Sequence, residues 1–147
     1  MKKGEKYRKA VFIVTYLNTK QGIEYLILKR KLHWKGWEFS KGKIERFETK
    51  RKTIKRELKE ETGLTPIKIK KFNIKGKYKY QKLLSDRPNH IGQTYQLFAV
   101  EVRKSKVQVD NYEHSDYKWL SFNNALKKLT WPNQRKCLKI VNNWLIK

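Results

Sequence analysis

The segment from Glu48 to Thr62 constrains the fold most, because it contains neither Gly nor Pro and repeats its apolar residues at helical spacing. Gly63 follows it, and Gly is the residue favoured just past the end of a helix. The pattern therefore predicts an α-helix over residues 48–62. The surrounding chain is also unusually acidic: five of the 13 Asp and Glu residues lie between residues 40 and 64, although the formal net charge is +24.

The direction of Glu61 on this helix is unusual. At about 100° per residue, with Ile54 at zero, Leu58 lies near about 40° and Glu61 near about −20°, so Glu61 projects between two apolar residues. A buried carboxylate is costly unless it is paired or bound to a cation. Glu57 also lies three and four residues before Glu60 and Glu61, and like charges at these spacings destabilise a helix. The pattern predicts a positive partner.

Two kinds of partner could supply that positive charge. Lysines of the same helix are the ordinary candidates, but Lys55 and Lys59 project away from the glutamates, and only Lys50 shares their edge. A divalent cation is the alternative, because Mg²⁺ and Mn²⁺ take carboxylate, carbonyl and water oxygens and usually bind substrate phosphates as well. The sequence favours the cation.

Strands are predicted on both sides of the helix. Residues 9–17 and 24–30 are β-branched and aromatic runs joined by a polar segment with Gly22, which is the pattern of a hairpin. Residues 84–92 combine Asp, Pro, Asn and Gly and predict a loop. The other predicted strands lie at 67–83, with a turn near Gly76, at 93–102 and at 117–122.

Two further helices are predicted near the C-terminus. One is short and follows residue 121, with Ser121 or Asn123 available as its cap, and the other is amphipathic and covers residues 133–147. No repeat or linker interrupts the chain. The elements therefore indicate one mixed α/β or α+β domain over residues 1–147.

Charge and cysteine content bear on partners and compartment. With 37 Lys and Arg against 13 Asp and Glu, the chain should attract polyanions such as nucleic acid and nucleotides, although a Lys-rich proteome explains the excess equally well. Cys137 is the only cysteine, which excludes an intramolecular disulfide and favours a reducing, cytoplasmic setting. No stretch approaches the roughly 20 apolar residues that span a bilayer, so no membrane partner is expected.

The acidic segment matches a known signature position by position. Gly42, five residues, Glu48, seven residues and then the run from Arg56 to Leu64 (RELKEETGL) resemble the signature of the Nudix hydrolases. The resemblance implies an α+β fold, built as an α/β/α sandwich around a mixed sheet. It also implies a hydrolase that uses Mg²⁺ or Mn²⁺ and acts on a nucleoside diphosphate linked to another group.

The resemblance also assigns roles to single residues. Arg56 and Glu48 resemble the ion pair that steadies the loop, and one of the glutamates, here or in a later loop, would deprotonate the attacking water. Lys41 and Lys43, which flank Gly42, are candidates for binding further phosphates, or they are ordinary surface lysines. The groups similar to the family's metal ligands are Glu57, Glu60, Glu61 and the carbonyl of Gly42.

Two segments outside the signature resemble one subfamily of the Nudix hydrolases. Residues 37–45 and 112–129 are similar to segments of the asymmetrical diadenosine tetraphosphate hydrolases. By this resemblance Glu113 is a candidate catalytic base or extra ligand, and Tyr95 or Tyr117 is a candidate for stacking on adenine. Core packing is the more ordinary role for Tyr117, and His114 is interpreted as a hydrogen-bonded surface or loop histidine.

Three positions depart from the pattern of that subfamily. Ser40 stands where Pro is usual, Lys43 where His is usual, and Phe47 where Gly commonly precedes the first glutamate of the signature. Gly eases a turn at this last position, so Phe47 leaves open a reshaped turn and a different substrate.

The leading hypothesis is thus a pyrophosphohydrolase of nucleoside polyphosphates, with diadenosine tetraphosphate as the favoured substrate, acting as a monomer or homodimer. The alternatives use the basic surface and the Tyr and Phe residues interleaved with Lys at 70–82. One is an enzyme that removes pyrophosphate from RNA 5′ ends, and the other is a nucleic-acid-binding module on the same fold.

Overall fold

A central sheet carries the fold in the computed structural model, which describes residues 6–82 and 84–147. Within these ranges the strands are β1 (Lys6–Thr19), β2 (Gly22–Arg30), β3 (Gly36–Glu38), β4 (Ser40–Lys43), β5 (Pro66–Lys79), β6 (His90–Val102) and β7 (His114–Leu120). The helices are α1 (Lys50–Thr62), α2 (Phe122–Lys128) and α3 (Pro132–Leu145).

The sheet is mixed. Its strand order is β3-β2-β1-β6-β5, with β4 paired to β1 and β7 paired to β2. β1 and β6 run parallel, whereas the other pairs are antiparallel. The predicted α+β class with a mixed sheet is therefore confirmed.

Helices cover both faces of this sheet. Successive strand residues point to opposite faces, so Phe12 packs with α2 and α3 while its neighbour Ile13 packs with α1. Ile54 and Leu58 of α1 are fully buried in the second of these cores. The result is the expected α/β/α sandwich, with the acidic helix held against the sheet by its apolar stripe.

Helix α1 is confirmed and begins two residues later than predicted. Thr49 takes the N-cap, where its hydroxyl accepts a hydrogen bond from the Lys52 N–H at 3.2 Å, so Glu48 lies in the turn before the helix. Gly63 ends the helix in the left-handed conformation (φ 77°), and its N–H donates to the Lys59 carbonyl at 2.9 Å.

The predicted turn near Gly76 is wrong, because β5 runs through this residue without a break. Gly76 lies opposite Tyr95 of β6, and a Cβ at Gly76 would overlap the Tyr95 ring. The glycine therefore serves close packing across the strands rather than a reversal of the chain.

Other boundaries shift by a few residues. The β1–β2 hairpin is confirmed, with Thr19 paired to Gly22, while β6 begins inside the predicted loop at His90 and β7 begins at His114. β3 and β4 were not predicted as strands. Both C-terminal helices are confirmed, and Ser121 occupies the N-cap of α2 without a side-chain capping bond. None of the helices in the described ranges is long and apolar enough to cross a membrane.

Candidate active site

The acidic edge of α1 lies against β4. The side chain of Glu57 packs directly on the backbone of Gly42, where an added Cβ would overlap its carboxylate. Only glycine permits this approach, which brings together two residues separated by the whole loop before α1. The side chain of Glu57 is 14% exposed as a result.

Glu61 is the buried carboxylate that the helical projection predicted, with only 2% of its surface exposed. Its Oε1 accepts a hydrogen bond from the Lys41 backbone N–H at 3.3 Å. Its Oε2 has no hydrogen-bond partner among the residues that the structure describes. The Nδ1 atom of His114 lies 3.6 Å from that oxygen.

The expected alternative, pairing of these glutamates with helix lysines, does not occur within the described ranges. Lys50, the one lysine on the same edge of α1, hydrogen-bonds the Gln96 side chain instead. Glu60 is the most exposed of the three glutamates, at 58%, and lies 3.4 Å from Arg56 Nη1. Glu57 and Glu60 therefore share Arg56, whereas Glu61 makes no ion pair with an arginine among the described residues.

That arginine is committed mainly to Glu48. The Nε and Nη2 atoms of Arg56 donate to the two carboxylate oxygens of Glu48 at 2.7 and 2.9 Å, and Nη2 also donates to the Lys43 carbonyl at 2.9 Å. The Thr53 hydroxyl adds a bond of 2.8 Å to Glu48. These contacts tie the loop before α1 to both the helix and β4.

The two kinds of carboxylate titrate in opposite directions. Hydrogen bonding from Arg56 lowers the pKa of Glu48 to about 2. Burial raises the pKa of Glu57 to about 7, although Arg56 opposes the effect. Burial, followed by the nearby charges of Glu57 and Glu113, raises the pKa of Glu61 well above 4.5.

These observations fit a divalent cation. Glu57 and Glu61 have raised pKa values, and one Glu61 oxygen has no partner among the described residues. A bound positive charge would stabilise both carboxyl groups in their ionised form. Their oxygens are the hard donors that Mg²⁺ and Mn²⁺ prefer.

A buried charge network next to the carboxylates was missed by sequence reasoning. Arg30 is 2% exposed, and its Nη1 lies 3.1 Å from Glu38 and 3.2 Å from Glu113. His114 Nε2 lies 2.7 Å from the same Glu38 oxygen, and Nδ1 lies 3.4 Å from Asp110. The interpretation of His114 as a surface or loop residue is wrong, because its side chain is fully buried.

This network places Glu113 beside the acidic helix. Ligand atoms of Glu61, Asp110, Glu113 and His114 all lie within 4.8 Å of one another. The carboxylate of Glu113 is 31% exposed, so it faces both the network and solvent. The sequence offered one signal for Glu38, which is an acidic residue between two large aromatic residues, Trp37 and Phe39.

A NUDIX domain profile matches residues 6–139 of the chain. The chain belongs to the Nudix family. It is a hydrolase that acts on pyrophosphate bonds, as Nudix hydrolases do.

Relatives agree with this assignment. The chain is 29% identical over 135 residues to an RNA pyrophosphohydrolase of Nitratiruptor sp., a match that covers 86% of this chain and 87% of the relative. A NUDIX hydrolase of Listeria monocytogenes has the same fold (TM-score 0.76, 22% identity, 96% of this chain and 94% of that one). The Ap4A hydrolase of C. elegans is also similar in fold (TM-score 0.75, 20% identity, 95% and 98%).

The two lysines that flank Gly42 of the Nudix segment differ in their surroundings. Lys41 is 10% exposed, with its Nζ 3.4 Å from Glu38 Oε1, and it lines a cavity of about 660 Å³. Lys43 is paired with Ala10 across the sheet, and its carbonyl accepts the bond from Arg56. Lys41 is therefore held within the fold, whereas Lys43 mainly supports the loop through its backbone.

The two candidate stacking tyrosines of this Nudix domain lie on opposite faces of the sheet. Tyr95 stacks on Phe12 on the α3 face, with ring centroids 3.9 Å apart and planes at 4°. Tyr117 lies opposite Leu28 on the α1 face and is 37% exposed. One base cannot contact both rings, and Phe12 already covers one side of Tyr95.

The turn before the first glutamate of the Nudix signature keeps a glycine-like conformation. Phe47 itself adopts φ 67° and leaves its side chain 90% exposed, with the Arg46 guanidinium 4.9 Å from the ring centroid. The bulky residue therefore accepts a left-handed backbone, and Glu48 still reaches Arg56.

Proposed function

We propose that this Nudix hydrolase is a divalent-metal-dependent pyrophosphohydrolase of nucleoside polyphosphates, with diadenosine tetraphosphate as its favoured substrate and ATP and AMP as products. The observation that carries the proposal is the pair of glutamates Glu57 and Glu61, which have no lysine side chain as a partner in the described ranges. Glu57 is 14% exposed and packs on Gly42, and Glu61 is buried and bonds to the backbone of Lys41. Their position supports a site where a cation and substrate phosphates meet.

Glu57 and Glu61 would hold the cation, with Glu60 and the Gly42 carbonyl as further oxygen donors. A bound Mg²⁺ or Mn²⁺ would supply positive charge that neutralises the phosphoryl oxygens and lowers the pKa of water. Arg56 and Glu48 position Glu57, because the same guanidinium bonds Glu48 and lies 2.7 Å from Glu57 Oε1.

Glu113 is the proposed base. Ligand atoms of Glu113 and Glu61 lie within 4.8 Å of each other, and the Glu113 side chain is 31% exposed. Glu113 can therefore take a proton from water on the solvent side of the site. In the proposed reaction the water oxygen bonds to phosphorus, the phosphoanhydride P–O bond breaks, and the leaving phosphate carries the electron pair away. Lys41, from the cavity that it lines, and the side chain of Lys43, whose backbone supports the loop, would bind the remaining phosphates.

An aromatic cavity on the other side of Lys41 supports a nucleotide substrate. Its volume of about 660 Å³ lies in the range of small-molecule sites, and Trp34, Trp131, Tyr78 and Tyr80 contribute to its lining. Trp34 and Trp131 meet edge to face with centroids 5.1 Å apart. We propose that an adenine base stacks here rather than on Tyr95, because Tyr95 already stacks on Phe12.

A second candidate is removal of pyrophosphate from the 5′ end of RNA. The relative from Nitratiruptor sp., which is named an RNA pyrophosphohydrolase and matches over 86% of this chain, favours it. The hydrolase assignment makes a binding module without activity the weakest alternative. Three further expectations stay predictions: a single domain over residues 1–147, a cytoplasmic location, and an assembly that is a monomer or a homodimer.

Product analysis tests both candidates. Purified protein with Mg²⁺ or Mn²⁺ is incubated separately with diadenosine tetraphosphate, ADP-ribose, nucleoside triphosphates and 5′-triphosphorylated RNA. ATP plus AMP from the first substrate supports the favoured activity, and conversion of the RNA to its 5′-monophosphate at a higher kcat/KM supports the second. Failure to cleave any phosphoanhydride with either metal contradicts the proposal.

A further inference from the structure

A second concave surface lies on the α1 face of the sheet, beyond the carboxylates. It is a groove of about 490 Å³, and residues of β1, β5 and β6 contribute to its lining. Ile44 lines it, and this residue directly follows β4, two positions after Gly42. The groove therefore continues from the place where Glu57 contacts β4.

The side chains around this groove are positively charged. Lys9, Lys50, Lys75 and Lys77 line it, and none of the described residues that line it carries a carboxylate. We call these four residues the lysine groove. Burial and the like charges of Lys71, Lys75 and Lys9 lower the pKa of Lys50, so the ammonium groups are close enough to repel one another. An anionic ligand would relieve that repulsion.

The lysine groove and the acidic site share one edge of α1. Lys50 precedes Glu57 by seven residues, which is about two helical turns and about 10 Å. An anion that extends from the carboxylates along this edge would pass from Glu57 to Lys50 and then to Lys75 on β5. A polynucleotide chain carries a phosphate at every nucleotide, so it can place its 5′ end at the carboxylates and later phosphates beside the lysines.

We propose that the lysine groove binds the phosphodiester backbone of single-stranded RNA whose 5′ phosphates lie at the carboxylates of α1. The proposal deepens the second candidate function and rests on it. Single-stranded RNA fits better than a membrane, because the lysines surround a concave channel rather than projecting from a convex face. Lysines bind phosphates as point charges without reading bases, so the groove would accept many sequences.

The test is equilibrium binding of a short, fluorescently labelled, 5′-monophosphorylated RNA to the full chain over a salt series. The variant is the triple substitution Lys9→Gln, Lys50→Gln and Lys75→Gln. The matched control, Lys104→Gln, Lys127→Gln and Lys139→Gln, removes the same charge from exposed positions elsewhere. The single variant Lys75→Glu, on an exposed strand position, provides a second test should the triple variant unfold.

The groove variant should bind about tenfold or more weakly near physiological salt. Its log–log salt slope should fall by about 2, since each lost contact to a single strand removes about 0.7. The control triple should change neither quantity by much. Equal weakening of RNA binding by both triple variants would mean diffuse electrostatic attraction and would overturn the proposal. The proposal would also be overturned if the lysine groove were needed for binding to anionic lipid vesicles but not for binding to RNA.

Hydrolysis of the small nucleotides separates this proposal from the one on which it rests. The groove triple should retain the wild-type kcat/KM for a small substrate such as diadenosine tetraphosphate. If small substrates are cleaved but RNA binding ignores the groove, the groove proposal alone fails. If RNA binding depends on the groove but no phosphoanhydride is cleaved, the proposed function fails and the groove stands.

Discussion

Two of the three glutamates that Arg56 contacts behave in opposite ways. On one side Glu48 accepts two bonds from the guanidinium and one from Thr53, and its pKa falls to about 2. On the other side Glu57 accepts a single bond of 2.7 Å, and its pKa rises to about 7. The same arginine thus compensates one carboxylate and leaves the other short of positive charge.

The difference lies in the surroundings of each carboxylate. The two side chains are similarly exposed, at 17% for Glu48 and 14% for Glu57. Glu48 accepts bonds from both Arg56 and Thr53, whereas Glu57 packs on Gly42 with other glutamates nearby. The compensated side holds the loop in place, and the uncompensated side is where a cation would bind. The comparison shows that the signature combines a carboxylate whose charge is compensated by Arg56 with a carboxylate whose charge is not.

The largest expected effect comes from removing charge on the uncompensated side. Glu57→Gln and Glu61→Gln should each lower kcat/KM by about 10²- to 10³-fold, the size found when one preorganised electrostatic group is removed. Steady-state hydrolysis with Mg²⁺ measures the change, and circular dichroism checks the fold. Glu45→Gln, an exposed glutamate of the same loop, is the control. Near-wild-type activity in both site variants would remove the distinction between the two sides.

A smaller effect is expected on the compensated side. Arg56→Lys cannot bond both Glu48 oxygens and reach Glu57, so we expect about a tenfold loss of kcat and a modest loss of stability. Arg51→Lys, an exposed arginine earlier on the same helix, should be neutral. Thermal unfolding and kinetics on the two variants give the comparison. If Arg56→Lys behaves like Arg51→Lys, the fork of hydrogen bonds has no special role.

The two sides should also respond differently to pH. The folded-state pKa of Glu57, about 7, lies above its ordinary 4.5, so metal-free protein should lose stability as pH rises from about 4.5 to 7. The pKa of Glu48 is lowered, so its contribution is present above 4.5 and is lost as pH falls towards 2.

Denaturant unfolding in chelator across this pH range tests the expectation. Saturating Mg²⁺ should flatten the loss between pH 4.5 and 7, and Glu57→Gln should reduce it without metal. A Glu57→Gln variant with the full wild-type pH dependence would show that the loss arises elsewhere.

The smallest effect concerns the turn that delivers Glu48. Phe47 holds φ 67°, which costs a non-glycine residue about 1–2 kcal/mol, so Phe47→Gly should stabilise the protein by up to about 1 kcal/mol after the entropy cost of glycine. Activity should change little, because Glu48 already reaches Arg56. Chemical denaturation measures the gain, and a clear loss of stability would mean that the exposed ring makes an important contact.

Local patterns predicted much of this molecule. Helix α1, its end at Gly63 and the inward direction of Glu61 follow from periodicity within a single segment, and all three are found in the structure. Alternating runs predicted most of the strands, and the mixed sheet, which the resemblance to the Nudix hydrolases implied, is confirmed.

Contacts between distant segments could not be read in the same way. The network of Arg30, Glu38 and His114 joins three strands, and nothing near each residue in the sequence indicates the other two. The turn predicted near Gly76 was wrong for the same reason, because this glycine packs against the ring of Tyr95 on the next strand. The aromatic cavity likewise joins Trp34 to Trp131, which are far apart in sequence.

Cation binding tests the central claim most directly. Isothermal titration of Mg²⁺ or Mn²⁺ into metal-free wild type, Glu57→Gln, Glu61→Gln and the control Glu45→Gln measures it without any substrate. Wild type and the control should bind the cation with the same affinity. Both site variants should lose more than about tenfold in affinity, which is the smallest loss expected when a residue that only supports a metal ligand is replaced. Equal affinity in all four proteins would contradict the conclusion that the uncompensated glutamates hold the metal.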